Sequence, residues 1–260
     1  MLNIGLGLAK DCAAIARRAG AEIMKIYQTD FDVEAKGDSS PVTQADRVAE
    51  DVITRAIREG ISNEFPIVGE EAASDGQIPD VTGTPFWLVD PLDGTKEFIN
   101  RNGEFTVNIA LIESARPVLG VVHLPAQNVT YCGLNMGSFV LRGDEPRQDI
   151  QCRAAPEAGL TALVSRSHRT PEVDQYLANF NVAEEMSAGS SLKFCRVAEG
   201  AADIYPRMGR TMEWDTAAGH AVLRFASGEV RNLDGSGLSY GKQGFENPHF
   251  VAAGQGVFDN

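Results

Sequence analysis

The hexapeptide DPLDGT at residues 90–95 follows a strongly apolar run and carries two acids three positions apart. Its proline cannot donate a backbone hydrogen bond and disfavours a helical conformation at Asp90, so we expect Asp90 at the end of a strand. A turn through Gly94 would bring the Asp90 and Asp93 carboxylates together and aim the Leu92 carbonyl the same way. Adjacent carboxylates repel each other, and a bound cation removes that repulsion. The hexapeptide therefore predicts a cation site; the alternative is a Pro-Asp-Gly turn in which Asp93 bonds its own backbone.

Two other segments also deliver acids. A predicted strand is followed by Glu70 and Glu71, and a predicted helix begins near Asp215. Taken singly, these acids are explained as a solvated pair and a helix N-cap. Together with the two aspartates of the hexapeptide they form a set of hard oxygen ligands, which favours Mg²⁺ or Mn²⁺ over zinc. Mg²⁺ held by carboxylates usually keeps open positions for substrate phosphate, so the pattern favours phosphoryl chemistry.

The composition limits the class of protein. With 260 residues, the chain can form one large domain or two tightly packed ones. The net charge of −13 argues against binding a nucleic acid polymer, because neutralising its phosphates needs clustered Lys and Arg. The four cysteines form no C-x-x-C pair, which favours reduced thiols in a cytosolic protein. No uninterrupted apolar run reaches about 18 residues, so we expect no membrane-spanning segment.

The elements that must position these acids are indicated by hydrophobic periodicity. Helices are predicted at residues 3–27 and 46–61, and short strands at 65–68 and 86–89. A run of antiparallel strands is predicted at 105–113, 118–124, 129–134 and 137–143. Strands and helices then alternate, with strands at 160–165, 182–187, 202–205 and 229–233 and helices at 171–180, 190–199 and 215–226. This order predicts an α+β fold of two packed subdomains, residues 1–150 and 151–260.

Three motifs resemble the signatures of the inositol monophosphatase superfamily of Mg²⁺-dependent, lithium-sensitive phosphatases. They are EE at residues 70–71, DPLDGT at 90–95 and WDTAAG at 214–219. The resemblance spans nearly the whole chain and implies the layered αβαβα sandwich shared with fructose-bisphosphatases. The longer string at residues 90–112, together with GSSLKFC at 189–195 and YPR at 205–207, looks like the 3'(2'),5'-bisphosphate nucleotidase branch. Inositol phosphatases usually continue the central motif with TNF, where this chain has KEF.

The resemblance implies roles for individual residues around two or more Mg²⁺ ions. The implied ligands are Glu70, Asp90 and the Leu92 carbonyl for one ion, and Asp90, Asp93 and Asp215 for the second. Thr95, hydrogen-bonded to Asp46, would orient and deprotonate the attacking water. Glu71 would support the metal site. These roles agree with two-metal hydrolysis, in which the ions activate water and stabilise the attacking and leaving oxygens.

The substrate contacts are expected in two groups. Gly94 and Thr95, with a helix starting near Lys96, would present backbone N–H groups to the reacting phosphate. Similarity to nucleotidase sites implies that the rest of the nucleotide is contacted by His168, Ser190, Lys193, Arg207 and Asp215. Ser190 and Lys193 would lie on one face at the start of a helix. Read without the family, these are a serine N-cap, a loop histidine and surface cations.

The predicted function is hydrolysis of the 3'-phosphate of adenosine 3',5'-bisphosphate by a cytoplasmic Mg²⁺ enzyme, giving AMP and phosphate. The resemblance also allows peripheral attachment at the inner face of the cell membrane. One alternative is an inositol or sugar monophosphatase with the same metal core. Another is a non-catalytic sensor on a phosphatase scaffold. The sensor is expected to lack some of Asp90, Asp93, Thr95 and Asp215, and all four are present. The expected partner is a small nucleotide bisphosphate, with no nucleic acid polymer.

Overall fold

The computed structural model of the chain describes residues 2–35, 41–166 and 169–259. Two helices come first, α1 (Leu6–Tyr27) and α2 (Gln44–Gly60), and between them lie the paired two-residue strands β1 (Glu34–Ala35) and β2 (Pro41–Val42). Helix α2 begins two residues before the predicted start. Its N-cap, Thr43, accepts a hydrogen bond from Ala45 N, while the Asp46 carboxylate accepts one from Thr43 N. This capping box fixes both the start of the helix and the position of Asp46.

A seven-stranded sheet follows, and its strands lie side by side in chain order. They are β3 (Ile67–Gly69), β4 (Phe86–Asp93), β5 (Thr106–Glu113), β6 (Arg116–Leu124), β7 (Val129–Leu134), β8 (Gly137–Arg142) and β9 (Gln148–Ile150). Strands β3 and β4 are parallel, and all other neighbours are antiparallel. The predicted run of antiparallel strands is therefore confirmed. Short helices follow the first two strands directly: α3 (Glu70–Ser74) after β3 and α4 (Thr95–Ile99) after β4.

The rest of the chain builds a five-stranded sheet with the order β11-β10-β12-β14-β13. Its strands are β10 (Leu160–Ser165), β11 (Val182–Ala188), β12 (Ile204–Arg207), β13 (Glu229–Asn232) and β14 (Phe250–Ala253). The helices in this part are α5 (Pro171–Leu177), α6 (Leu192–Ala198) and α7 (Glu213–Phe225). Single 3₁₀ turns lie at Pro125–Gln127, Gln243–Phe245 and Val257–Asp259. Strand β14 was not predicted; it pairs with both β12 and β13.

The elements stack in five layers. Helices α1 and α2 cover one face of the seven-stranded sheet, α6 and α7 lie between the two sheets, and α5 packs on the outer face of the five-stranded sheet. The predicted αβαβα sandwich is confirmed. The division into subdomains at residues 1–150 and 151–260 stays a prediction. Within the described ranges, none of the helices combines the length and apolar character needed to cross a membrane.

Candidate active site

A bulge in β4 places Asp90 and Asp93 on the same face of the sheet. Residues three apart on a regular strand point to opposite faces. Asp90 pairs with Asn108 and Asp93 with Thr106, so three steps along β4 match two along β5. The extra residue also accommodates Pro91, which cannot donate to the sheet. The strand therefore continues to Asp93, where the sequence predicted a turn, and the bulge brings the two aspartates together.

The packing of β4 shows the same change of face. Trp87 and Val89 are buried against α1 and α2, whereas Phe86 and Leu88 are buried in the core between the sheets. Leu92 lies in the same core as Val89, although the two residues are three positions apart and would face opposite sides of a regular strand. The bulge thus shifts the alternation of side chains along β4 by one residue. As a result, Asp93 faces the middle layer together with Asp90.

Five acidic residues line one cavity of about 210 Å³ between the two sheets, and four of them, Glu70, Asp90, Asp93 and Asp215, are the predicted metal ligands. Glu70 is the first residue of α3 and follows β3, which runs parallel to β4; Asp215 lies in the first turn of α7. Together with the two aspartates of β4, these acids form one wall of the cavity. The structure therefore brings together every side chain that the sequence predicted as a metal ligand. The predicted Leu92 lines the same cavity.

Burial and mutual repulsion perturb these acids strongly. Burial and the charges of Glu70, Asp93 and Asp215 raise the pKa of Asp90 well above its usual value. Burial raises the pKa of Asp93 to about 6, although the Lys193 charge opposes this shift. Burial, Asp93 and Glu70 raise the pKa of Asp215 well above its usual value. These carboxylates repel one another when ionised, and they provide only oxygen ligands, which suit Mg²⁺.

Each aspartate of the cluster also accepts a backbone N–H. Leu92 N donates to Asp90 Oδ1 at 3.0 Å, Ser191 N to Asp93 Oδ2 at 2.5 Å, and Met212 N to Asp215 Oδ2 at 2.8 Å. In the part of the chain that the structure describes, no three His, Cys, Asp or Glu side chains are arranged to hold a metal ion. The donor set, made of carboxylate oxygens and one backbone carbonyl, fits Mg²⁺ in its chemistry.

The predicted pair of Thr95 and Asp46 meets at the edge of this cavity. Thr95 Oγ1 lies 3.4 Å from Asp46 Oδ1 and 3.4 Å from the Leu92 carbonyl oxygen. Asp46 is 1% exposed, and its second oxygen accepts from both the backbone N and the hydroxyl of Thr43 at 2.8 Å. The α2 capping box therefore holds the carboxylate that faces Thr95. Gly94, immediately before Thr95, has φ +90°, a left-handed conformation that favours glycine.

Glu71 lies on the other side of α3. Glu70 lines the cavity with the aspartates, but Glu71 lines a separate surface cavity between α2 and α3. The backbone N–H of Glu71 donates to Glu50 Oε2 at 2.8 Å. The supporting role predicted for Glu71 stays a prediction. The sequence analysis did not single out Glu50.

Two buried cations, Lys193 and Arg207, also line the cavity. Lys193 is 3% exposed; its Nζ donates to the carbonyl oxygens of Ser190 (2.6 Å) and Ala188 (3.3 Å). Burial lowers the pKa of Lys193 to about 8, against the opposing charge of Asp93. Arg207, at the end of β12, is 9% exposed and donates through Nη2 to Arg210 O. Its buried Nε has no hydrogen-bond acceptor among the described residues. Arg207 and Lys193 both line the cavity, so two buried cations offer positive charge to an anionic ligand there.

Helix α6 begins at Leu192, two residues later than predicted, so Ser190 lies before the helix, with φ +46°. Its hydroxyl donates to Glu104 O at 2.8 Å. The next residue, Ser191, was missed. Its N–H binds Asp93, and its hydroxyl lies 2.7 Å from Asn108 Oδ1 and 2.9 Å from Thr106 Oγ1. Its position beside Ser190 at a strand-to-helix junction was the only sequence signal. The predicted contact His168 lies outside the described residues.

Comparison with known proteins gives the family. The chain matches the inositol monophosphatase family model over residues 8–256. It is 45% identical over 239 residues to a protein of Escherichia coli strain K12 named 3'(2'),5'-bisphosphate nucleotidase CysQ, covering 91% of this chain and 95% of that protein. The protein of that name from Buchnera aphidicola is 40% identical over 256 residues, covering 96% and 95%.

Among solved structures, the chain is similar to CysQ from Bacteroides thetaiotaomicron, described as a bacterial member of the inositol monophosphatase family. The TM-score is 0.82 at 39% identity, and the match covers 96% of this chain and 97% of that one. An inositol monophosphatase of Thermotoga maritima matches with a TM-score of 0.77 at 25% identity, covering 95% and 92%. The resemblance predicted from the three motifs is confirmed: this chain belongs to the inositol monophosphatase family.

Proposed function

We propose that this chain is a Mg²⁺-dependent 3'(2'),5'-bisphosphate nucleotidase that hydrolyses adenosine 3',5'-bisphosphate to AMP and phosphate. One observation carries the proposal: a single cavity is lined both by the acids proposed to hold metal ions and by the buried cations Lys193 and Arg207. A substrate with two phosphates would use the metal ions for the phosphate that is hydrolysed and the cations for the phosphate that is retained. The relatives named for this activity support the same assignment.

The proposed ligands of two Mg²⁺ ions are the side chains of Glu70, Asp90, Asp93 and Asp215 and the carbonyl oxygen of Leu92. Bound Mg²⁺ supplies positive charge that lowers the pKa of water and stabilises developing charge on the attacking and leaving oxygens. The chain contributes a rigid frame for these ligands, because the β4 bulge fixes two aspartates on one face.

Thr95 and Asp46 are proposed to handle the attacking water. The Thr95 hydroxyl can accept a proton from the water while it donates its own hydrogen toward Asp46 Oδ1, 3.4 Å away. Asp46 is held by Thr43 through its other oxygen, so its carboxylate keeps one orientation during this transfer. The 3.4 Å contact is long for a hydroxyl donor, and we expect it to shorten when substrate is bound.

The second phosphate is proposed to bind at Arg207 and Lys193. The planar guanidinium of Arg207 suits phosphate oxygens, and Lys193 adds a second positive charge in the same cavity. The backbone around Gly94 and Thr95 is proposed to receive the reacting phosphate. His168 and Ser190 complete the predicted contacts. Because the Ser190 hydroxyl donates to Glu104 O, we propose that it donates to a nucleotide oxygen only if that bond breaks.

The test compares three substrates: adenosine 3',5'-bisphosphate, 3'-AMP and inositol 1-phosphate. We expect the bisphosphate to have the highest kcat/KM, and a chelator to abolish all hydrolysis. Arg207→Gln should lower kcat/KM for the bisphosphate about 10- to 100-fold, since a hydrogen bond to a charged group contributes about 1.5–3 kcal/mol. The same substitution should change kcat/KM for 3'-AMP much less, because 3'-AMP has no second phosphate. Arg231→Gln, which alters an arginine paired with Glu229, is the control. Equal or better activity on inositol 1-phosphate would favour an inositol monophosphatase instead.

We also propose that the protein works in the cytoplasm. All four cysteines are buried and free, as in proteins of a reducing compartment. Attachment to the inner face of the cell membrane stays a prediction. Fractionation of cells that express the tagged chain, before and after a high-salt wash, distinguishes the two locations.

A further inference from the structure

A buried carboxylate behind the cavity holds the segment that carries one proposed ligand. Glu50 belongs to α2 and is 8% exposed. Its Oε2 accepts the N–H of Glu71, and its Oε1 accepts the N–H of Ala72, each at 2.8 Å. These N–H groups belong to the first turn of α3, whose own N-cap, Gly69, makes no side-chain cap. We propose that Glu50 is a positioning residue that caps α3 from α2 and so directs Glu70 toward Asp90.

The absence of a side chain at Gly69 is explained by the position of the Glu50 carboxylate. Gly69 has φ −103° and ψ 151°, a conformation that any residue adopts. Backbone freedom therefore does not require glycine here. A Cβ at this position would lie 2.5 Å from both the Cδ and the Oε2 of Glu50. Gly69 leaves the space in which the Glu50 carboxylate reaches the two N–H groups.

Helix α3 depends on such an external cap. It has only five residues, and a helix this short does not form by its own backbone hydrogen bonds. The negative charge of Glu50 lies at its positive end and satisfies two of the N–H groups that no helical carbonyl can reach. Glu70 immediately precedes the capped residues, so a shift of α3 moves the Glu70 carboxylate relative to Asp90.

The same helix positions both ends of the site. Asp46 and Glu50 are four residues apart on α2 and therefore lie on one face. Asp46 contacts Thr95, the first residue of α4, while Glu50 contacts the first turn of α3. Both are buried. Helix α2 thus fixes the distance between the residue that handles water and the ligand contributed by α3.

This inference rests on the proposed function, so the experiment measures both. Mg²⁺ binding is followed by calorimetry on the full chain without substrate, for wild type, Glu50→Gln and Gly69→Ala. Residues that orient metal ligands typically change metal affinity 10- to 100-fold when altered, and we expect a rise of that size in the Mg²⁺ Kd for Glu50→Gln. Gly69→Ala keeps the charge of Glu50 but displaces it, and should raise the Kd in the same direction. Hydrogen exchange at residues 70–74 should become faster in both variants.

The matched control is Asp203→Asn. Asp203 is also buried and accepts a backbone N–H, from Thr161 at 2.7 Å, but it lies immediately before β12 of the five-stranded sheet and pairs with Arg153. It should lower thermal stability without changing the Mg²⁺ Kd. The inference is overturned if Glu50→Gln binds Mg²⁺ with the wild-type Kd, or if Asp203→Asn raises the Kd equally. If the wild-type chain binds no Mg²⁺, the proposed function fails first and the inference fails with it. Should Glu50→Gln not fold, Gly69→Ala decides by the same criteria.

Discussion

Ser191 joins the two halves of the site, and its replacement by alanine tests that connection. Its hydroxyl contacts Asn108 and Thr106, the residues of β5 that lie directly opposite Asp90 and Asp93 on β4. The N–H of Ser191 also donates to Asp93. The substitution Ser191→Ala keeps the N–H but removes the hydroxyl that links α6 to the strand beside the acids.

The expected loss of stability follows from the groups left behind. Asn108 is 1% exposed and Thr106 is fully buried, so solvent cannot replace either lost bond. Leaving a buried polar group unsatisfied costs about 1–3 kcal/mol, and the two together should lower the free energy of unfolding by about 2–4 kcal/mol. For a chain of this size that corresponds to a fall in Tm of roughly 5–15 °C. We also expect kcat/KM to fall by about tenfold, because Asp93 and its strand lose a fixed neighbour.

Urea unfolding and steady-state kinetics check both numbers. The control is Ser138→Ala, since Ser138 is equally buried but donates a single hydrogen bond, at 2.7 Å to Val222 O, away from the cavity. It should cost about 1 kcal/mol and leave kcat/KM unchanged. If Ser191→Ala is no less stable than Ser138→Ala, the reasoning about unsatisfied groups is wrong. If its kcat/KM equals that of the wild type, the connection does not serve the site.

Two further outcomes are expected. Burial lowers the pKa of His220 to about 3 and of His123 to about 4. Below about pH 6.5 the unfolded state therefore binds more protons than the folded state, and the free energy of unfolding decreases as the pH falls. The decrease is up to about 1.4 kcal/mol per histidine and pH unit. Urea midpoints between pH 7.5 and 4.5 measure this slope, which should be shallower in His220→Gln; an unchanged slope contradicts the assignment. Gly94→Ala adds a Cβ at φ +90°, 3.2 Å from Ser190 Cβ, and should lose more stability than Gly76→Ala, whose left-handed glycine faces open space. Equal losses would mean that the Ser190 contact is not tight.

Features set by neighbours in the sequence were predicted well. The alternating apolar pattern placed the antiparallel strands, and the three acidic motifs located the cavity. The starts of α2, α6 and α7 were displaced by two residues. For α2 the cap decides the start, because Thr43 and Asp46 form a capping box before the apolar pattern of the helix begins. Strand β14 was missed because its sequence, FVAA, is apolar throughout and shows no alternation, and its pairing partners are distant in sequence.

Features that depend on distant contacts could not be read from the chain. A proline between two acids suggested a turn, and only the register against β5 reveals the bulge that sets Asp90 and Asp93 on one face. Ser191 lies 83 residues from Asn108, and Glu50 lies 21 residues from Glu71. Both were missed because a serine just before a helix and a glutamate within a helix have ordinary explanations as a cap and a surface residue. Only the folded chain shows that Ser191 contacts Asp93 and Asn108 and that Glu50 accepts the N–H of Glu71.

The acidic wall opposes folding in the absence of a cation, and Asp93→Asn separates that effect from catalysis. The asparagine oxygen can still accept the Ser191 N–H, so the fold should survive, while one of the crowded negative charges disappears. In the presence of a chelator, we expect the variant to be as stable as the wild type or more stable. Added Mg²⁺ should raise the Tm of the wild type by mass action but much less that of the variant, whose turnover should be lost. A variant with wild-type turnover would refute the two-metal assignment. Loss of turnover with an unchanged Mg²⁺ effect on Tm would mean that Asp93 acts on the substrate rather than on the ions.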